Sequence, residues 1–137
     1  MQITDLPFNQ WIGITVADDC VRLQPNSKHE NHLGTVHATA LFGVAEAASG
    51  HWLIREFPEL GNHHVALLRT TKLKYRVPAE SGVEIAGSAN CNAESILKFR
   101  QTLADRGRAT LDIHVQVTQN EIELLSGTMS WFATQNA

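Results

Sequence analysis

The chain has 137 residues, of which 43% are hydrophobic and 18% charged, and its formal net charge is −3. This composition is typical of a globular protein, so we expect residues 1–137 to form one domain and exclude a disordered or fibrous chain. Lysine and arginine do not form a basic run, which argues against a nucleic acid partner. Because the first residues lack the basic and apolar regions of a secretion signal, we predict a cytoplasmic protein without a membrane partner.

Alternating apolar residues predict the first strand. Ile12, Ile14 and Val16 follow the period of two that is typical of a half-buried strand. The segment "CVRLQP" continues extended after the turn-like "ADD". This region is therefore predicted to form one bent strand or a pair of strands.

A long helix is predicted over residues 35–54, which are rich in alanine and leucine and contain no proline. Its apolar residues lie on every side, so a sheet must cover it, with help from a second subunit. The only formal charge in this segment is Glu46. Since burying an unpaired carboxylate is costly, Glu46 is a candidate for a chemical role. The other interpretation is a buried carboxylate that a partner on another strand holds.

Four strands are predicted after this helix, with a short helix between them. The strands are "HVALLRTTKLKYRVP", "GVEIAGSAN", "ATLDIHVQVT" and "EIELLSGTMSWFAT". The polar turn "TQNE" joins the last two strands as a hairpin. In "NAESILKFRQTLADRGR", Asn92 can cap a surface helix that Gly107 ends. The predicted fold class is therefore α+β, with an antiparallel sheet of five or six strands wrapped around one long central helix.

Several residues around the predicted helix follow a family pattern. Asn31 stands six residues before His37, and Glu46 stands nine residues after that histidine. The next strand ends in "YRVPA", a Y-x-x-P-A pattern. With these motifs, nearly the whole chain resembles the hotdog-fold acyl-CoA thioesterases, most closely the small thioesterases of the YiiD C-terminal and phenylacetate-degradation types. The resemblance implies a hotdog fold for this chain.

The resemblance also implies hydrolysis of acyl-CoA or acyl carrier protein thioesters, with CoA present only as part of the substrate and no other cofactor. Glu46 is then the general base or the nucleophile, and the Ala38 N–H at the helix start binds the oxyanion. Asn31 is expected to orient water or to bind the carboxylate, and His37 to cap and shape the loop. The residues expected to bind substrate are Thr39, Ser49, Thr70 and Lys72.

Two local features bear on the substrate. Ala38 and Thr39 stand where many relatives have two glycines after the histidine, which predicts a narrower substrate range. Lys72, Lys74 and Arg76 occupy alternate positions of one strand. They form either a solvated face or a cradle for phosphate groups.

The sequence also excludes some other functions and leaves two open. The spacing of the seven histidines fits no standard zinc site, so no metal is expected, and the chain has no G-x-S-x-G motif of a serine hydrolase. A non-catalytic acyl-binding module stays open, as does a hydratase or dehydratase, which needs a histidine and a carboxylate that converge.

Open sheet edges predict a homodimer that can pair into a tetramer, with acyl sites shared between subunits.

Overall fold

The computed structural model of the chain describes residues 1–136. Within this range the helices are α1 (Pro7–Ile12), α2 (Ala38–Glu56), α3 (Leu60–His63) and α4 (Ala93–Arg106). The strands are β1 (Ile14–Ala17), β2 (Cys20–Leu23), β3 (His64–Tyr75), β4 (Ile85–Asn90), β5 (Arg108–Gln119) and β6 (Ile122–Gln135). Short 3-10 turns, Ile3–Asp5 and Ser27–His29, precede α1 and α2. None of the helices in this range has the length and hydropathy of a membrane-crossing segment.

The six strands of the described range pair antiparallel in one sheet, in the order β1-β2-β4-β5-β6-β3. Asp18 and Asp19 connect β1 to β2, and Asn120 and Glu121 connect β5 to β6, all four with positive φ. Positive φ at both central residues is the turn geometry whose twist suits a two-residue hairpin. The hairpin predicted at "TQNE" is confirmed. The early extended region is a pair of strands that begins at Ile14; the assignment of Ile12 to a strand is wrong, because this residue ends α1.

The sheet curves around α2, and a glycine allows the closest approach between the two. A Cβ atom on Gly87 of β4 would lie 2.7 Å from Val44 Cγ1 and 3.3 Å from Ala48 Cβ. Both of these α2 side chains are buried. A larger residue at this position of β4 would push the sheet away from the helix. The predicted arrangement of an antiparallel sheet around one long helix is confirmed.

The first residues of the chain cover another side of α2, which the sequence pattern did not predict. A Cβ atom on Gly43 would meet Ile12 Cδ1 at 2.9 Å, and one on Gly50 would meet Ile3 Cδ1 at the same distance. The N-terminal turn and α1 therefore pack where α2 has no side chain. These contacts explain two glycines that each weaken the helix by about 1 kcal/mol relative to alanine.

The surface helix α4 packs on β5 beside the end of α2. The Asn92 side chain accepts a hydrogen bond of 2.8 Å from the Ser95 N–H, and Gly107 ends the helix with a φ of 70°. The predicted cap and helix end are thereby confirmed. Phe99 of α4 is buried against Phe57, with 4.9 Å between the ring centroids. This pair forms part of a second core cluster beyond α2.

The two edges of the sheet differ in length and exposure. The edge strand β1 has four residues, whereas β3 at the opposite edge has twelve. The β3 edge carries apolar side chains in contact with solvent, since Val65 is 43% exposed and Leu67 is 54% exposed. A long and apolar edge strand is an open template for pairing with another strand.

Candidate active site

A histidine cap sets the start of α2. The backbone of His37 is extended, and its Nδ1 atom accepts a hydrogen bond of 3.0 Å from the Thr39 N–H. The helix begins at Ala38, later than predicted, because Thr35 and Val36 form strand-like bridges with other segments. Within residues 1–136 the Ala38 N–H has no acceptor. It is therefore a donor for a ligand at the positive end of the helix dipole.

Asn31 closes the loop before α2. Its Oδ1 atom accepts from the backbone N–H groups of Leu33 and Thr35, at 2.9 and 3.2 Å, and its Nδ2 atom donates to Thr35 Oγ1 at 2.8 Å. Both acceptor positions of the carboxamide oxygen are thus used inside the loop. One Nδ2 hydrogen stays unengaged among the described residues. Asn31 can therefore donate a hydrogen bond to a ligand, whereas its oxygen has no acceptor position left for a bound water.

Two histidines of this region, His29 and His37, make hydrogen bonds that hold the loop and the helix start in place. His29 Nε2 lies 2.7 Å from the Ile12 carbonyl oxygen, and its Nδ1 atom accepts from the Asn26 N–H at 3.0 Å. The His29 carbonyl oxygen in turn accepts from the His37 N–H at 2.7 Å, which joins the loop to α1. Within residues 1–136 no three histidine, cysteine, aspartate or glutamate side chains are grouped so that they could hold a metal ion.

A groove of about 300 Å³ lies at the start of α2. Its lining includes Asn31, Ala38, Leu41, Tyr75, Arg76 and Pro78. The Arg76 guanidinium is held at its wall, because Nε lies 2.6 Å from Glu123 Oε2 and Nη2 lies 3.1 Å from Ser126 Oγ. The fold thus brings Asn31 and Ala38 together with the end of β3 and the Y-x-x-P-A segment.

Glu46 lies on α2 between the side covered by the N-terminal segment and the side covered by β6. Its side chain is half-buried, and no residue in the described part of the chain donates a hydrogen bond to its carboxylate or forms an ion pair with it. Burial raises the pKa of the Glu46 carboxyl, because the charged form loses hydration. A partially buried carboxyl with a raised pKa is typical of a general base or a nucleophile.

Ala38 and Glu46 do not converge within one chain. They lie eight residues apart in α2, which separates them by about 12 Å along the helix axis at 1.5 Å per residue. One thioester carbonyl therefore cannot contact the Ala38 N–H and the Glu46 carboxylate of the same helix. The sequence pattern placed both groups at one site, and helix geometry corrects this for a single chain.

Thr39 and Ser49, the other α2 residues of the predicted substrate site, differ in their surroundings. Thr39 is exposed at the second position of the helix. Ser49 is fully buried, where its hydroxyl donates to the Glu46 carbonyl oxygen at 2.8 Å and accepts from Trp131 Nε1 at 2.9 Å. Met129 Sδ lies 3.4 Å from the same hydroxyl. Ser49 therefore lies in the core and away from any surface that a substrate can reach.

A bulge in β3 sets which residues of that strand face α2. The pairing of β3 with β6 shifts between Leu68 and Thr70. The core next to α2 contains Leu68 before the bulge and Leu73 after it. Because side chains alternate along a regular strand, these two residues would face opposite sides without the bulge.

The predicted substrate-binding residues Thr70 and Lys72 consequently lie on the outer face of the sheet. Thr70 pairs with Ser130, whereas the next residue, Thr71, pairs with the buried Met129 that contacts α2. Lys72 follows on the same face as Thr70. The sequence pattern missed Thr71 as an inward-facing residue because nothing in "RTTKL" signals a bulge.

The family model described as "Domain of unknown function (DUF4442)" matches residues 13–132 of the chain. The chain belongs to this family. No curated protein matches it significantly.

Solved structures similar to this DUF4442 chain share its fold at low sequence identity. The protein of unknown function PA5026 from Pseudomonas aeruginosa, described as "Probable Thioesterase", has a TM-score of 0.80 at 22% identity, over 96% of this chain and 89% of that one. BH2602 from Bacillus halodurans, solved with CoA, has a TM-score of 0.69 at 18% identity, over 92% and 74% of the two chains. A variant of the phenylacetic acid degradation protein PaaI from Thermus thermophilus has a TM-score of 0.63 at 16% identity, over 93% and 98%. The hotdog fold implied by the resemblance is confirmed.

Proposed function

We propose that this DUF4442 chain hydrolyses acyl thioesters of CoA, or of an acyl carrier protein, in a homodimer whose sites are shared between subunits. The observation that carries the proposal is the half-buried Glu46 carboxylate, which has a raised pKa and no partner in the described part of the chain. Among the similar structures, one protein described as a thioesterase and one solved with CoA support this substrate class.

The start of α2 suits the carbonyl oxygen of a thioester. The Ala38 N–H has no acceptor among the described residues and begins a helix of 19 residues. Attack on the carbonyl carbon turns this oxygen into an oxyanion, and one fixed donor to such a charge contributes about 10²-fold to 10³-fold in rate. Asn31 lines the same groove and has one unengaged Nδ2 hydrogen, so it is a second candidate donor.

Glu46 supplies the reacting carboxylate. As a general base it takes a proton from water while the water oxygen bonds to the carbonyl carbon, and the C–S bond then breaks. The CoA sulfur leaves as a thiolate and is protonated. As a nucleophile, the carboxylate instead forms an anhydride that water opens to restore Glu46. Both routes need the ionised form of Glu46.

A second subunit would bring a Glu46 carboxylate next to an Ala38 N–H, two groups that do not meet within one chain. The β3 edge is twelve residues long and exposes Val65 and Leu67, so pairing with its own copy across a two-fold axis extends the sheet and covers this edge. Glu46 lies on the side of α2 that is next to β6, the neighbour of β3. We therefore expect Glu46 of one subunit to meet the Ala38 N–H of the other.

Two inactive variants test the shared site. Ala38→Pro removes only the N–H, because proline is favoured at the first helical position and the extended His37 before it accommodates proline. Glu46→Gln removes the ionisable group. Each variant alone should lose about 10²-fold or more of acyl-CoA hydrolysis, followed with a thiol reagent. Co-expressed, they should regain about a quarter of wild-type activity, because half of the dimers are mixed and each mixed dimer has one intact site.

The outcomes separate the proposal from its alternatives. Two folded, dimeric variants that regain nothing on co-expression would refute the shared site. A wild type that binds acyl-CoA but does not hydrolyse it would favour the acyl-binding module. A wild type that hydrates enoyl-CoA would favour the hydratase, which needs a histidine and a carboxylate that converge on the substrate.

A further inference from the structure

The four side-chain positions nearest to Glu46 on α2 offer its carboxylate no polar partner. Residues three and four apart are neighbours on a helix surface, so the neighbours of Glu46 are Phe42, Gly43, Ser49 and Gly50. Phe42 is partly buried and packs against the core, and the Ser49 hydroxyl is engaged within the core. The other two positions have no side chain. A group that packs on these glycines therefore lies beside the Glu46 side chain.

Both glycines are covered by the N-terminal segment, residues 1–13. A Cβ atom on Gly43 would lie 2.9 Å from Ile12 Cδ1, and one on Gly50 would lie 2.9 Å from Ile3 Cδ1. Gly43 precedes Glu46 by three residues and Gly50 follows it by four, so one isoleucine packs on each side of Glu46 along the helix. These two aliphatic side chains displace water from one flank of the carboxylate.

Hydrogen bonds hold the two isoleucines in place. The Asn9 side chain is buried and donates to the Ile3 carbonyl oxygen at 2.9 Å, which ties the first 3-10 turn to α1. The Ile12 carbonyl oxygen lies 2.7 Å from His29 Nε2, in the loop that precedes α2. The apolar cover formed by Ile3 and Ile12 is therefore a built part of the fold and needs no ligand to form.

The elements packed beside Glu46 bring few ionisable groups near it. Asp5 is the only ionisable side chain of the N-terminal segment, and it accepts from a backbone N–H of its own turn. Glu123, the only one on β6, pairs with Arg76. On α2 the nearest is His51, five residues from Glu46 and about 140° around the helix. The raised pKa of Glu46 consequently comes from lost hydration and not from a neighbouring charge.

We propose that Ile3 and Ile12 are positioning residues, which exclude water from one flank of the Glu46 carboxylate and thereby set its reactivity towards the thioester. The inference rests on the proposed function and adds the residues that act through its reacting group. Water stabilises the charge of a carboxylate, so a less hydrated carboxylate takes a proton more readily. The half of Glu46 that stays exposed is left for water and substrate.

The closing experiment removes the apolar cover and follows the pH profile of hydrolysis. Ile3→Ala and Ile12→Ala should lower kcat at neutral pH by about three- to tenfold, because the rehydrated carboxylate is a weaker base. The acid limb of kcat/KM should move to lower pH at the same time. The probe is the acyl-CoA that wild type hydrolyses fastest in a series from acetyl-CoA to dodecanoyl-CoA.

The matched control is Ile96→Ala on α4, since Ile96 and Ile12 are both partly buried beside a core cluster. It should leave the acid limb in place. Ile12→Val is the milder variant if alanine disturbs the fold, and it should move the limb in the same direction by less. A loss of kcat with no movement of the limb in any variant of Ile3 or Ile12 would reduce these residues to packing and overturn the proposal.

A methyl group returned on α2 tests where Ile12 acts. Ile12→Ala empties the space that a Cβ atom on Gly43 would enter, so adding Gly43→Ala should restore part of the apolar cover and move the acid limb back towards wild type. Gly61→Ala, whose Cβ atom would meet nothing within 4 Å, is the control addition and should restore nothing. A limb that Gly43→Ala leaves where Ile12→Ala put it would contradict an action of Ile12 beside Glu46.

A titration that needs no turnover keeps this inference distinguishable from the proposed function. In protein with isotope-labelled glutamate, the Glu46 carboxyl signal is the one absent from Glu46→Gln, and NMR follows it against pH. The Glu46 pKa should be lower in Ile3→Ala and Ile12→Ala than in wild type, and unchanged in Ile96→Ala. This result would support the exclusion of water even if wild type hydrolyses no thioester. The same Glu46 pKa in all four proteins would overturn the inference and leave the proposed function standing.

Discussion

Ser49 and Glu46 lie three residues apart on α2, but their polar side chains differ in the hydrogen-bond partners that surround them. On the side facing β6, the Ser49 hydroxyl is fully buried, donates to a carbonyl oxygen and accepts from the Trp131 indole. On the neighbouring side, the Glu46 carboxylate is half-buried and has no partner in residues 1–136. Burial is common to both, but only the Ser49 side offers hydrogen bonds.

This difference separates a polar group whose hydrogen bonds stabilise the fold from one to which the proposed function assigns the chemistry. A buried hydroxyl with both a donor and an acceptor is satisfied, and its removal leaves another group unpaired. A desolvated carboxylate without a partner costs folding free energy, and such local conflicts are expected at functional sites. Substitutions on the Ser49 side should therefore act mainly on stability, and those on the Glu46 side mainly on activity.

The largest expected effect is that of Glu46→Gln on hydrolysis. The amide keeps the size of the side chain but cannot take a proton or attack a carbonyl, so kcat should fall by about 10²-fold to 10⁴-fold. Substrate affinity should survive, measured by calorimetric titration with acyl-CoA. The matched control is Glu56→Gln at the end of the same helix, where the carboxylate faces Arg100 at 3.9 Å. A Glu46→Gln protein as active as this control would defeat the proposed mechanism.

The second-largest expected effect on hydrolysis comes from disrupting the homodimer that is expected to bring a partner subunit to Glu46. Leu67→Asp places a charge on the exposed β3 edge, which should dissociate the homodimer and lower hydrolysis by at least about tenfold, because each site then lacks one subunit. The control is Val16→Asp on the short β1 edge, which should leave both properties unchanged. Light scattering measures the assembly. A wild type that is monomeric at micromolar concentration would contradict the site shared between two subunits.

The pH dependence of activity gives a smaller, graded effect. Because burial raises the Glu46 pKa, the acid limb of kcat/KM should lie at a higher pH than an ordinary glutamate gives, with about a tenfold loss per pH unit below it.

The raised pKa of Glu46 also predicts how the stability of the fold depends on pH. The folded state binds this proton more tightly than the unfolded chain, so stability is lost as the pH rises from the usual pKa of glutamate through the raised value. Glu46→Gln should therefore raise the melting temperature at neutral pH and have less effect in acid. A melting temperature difference that grows on acidification would contradict this assignment.

The sequence predicts the elements whose apolar residues recur with the period of a strand or a helix. The strands, α2, α4 and the β5–β6 turn follow from alternation, helical spacing and turn residues, and Glu46 stands out as the only formal charge in residues 35–54. The six-residue α1 is too short to show a period, so its contact with Gly43 was missed. One bulge puts Thr70 and Lys72 on the outer face of the sheet, which the sequence does not signal, since register depends on pairing and not on composition.

The smallest expected effect on activity belongs to Ser49→Ala. Removing the hydroxyl leaves the Trp131 N–H without its acceptor in a buried site, which should lower the free energy of unfolding by about 1–3 kcal/mol. Hydrolysis per folded molecule should stay close to that of wild type, because the hydroxyl points into the core and not towards the Glu46 carboxylate. Denaturant unfolding and initial rates on the same preparation measure the two quantities. Ser49→Ala combined with Trp131→Phe should recover part of the lost stability, because the donor and the acceptor are then both absent. A Ser49→Ala protein of full stability but poor activity would place Ser49 with Glu46 in the chemistry and erase the distinction between the two sides of α2.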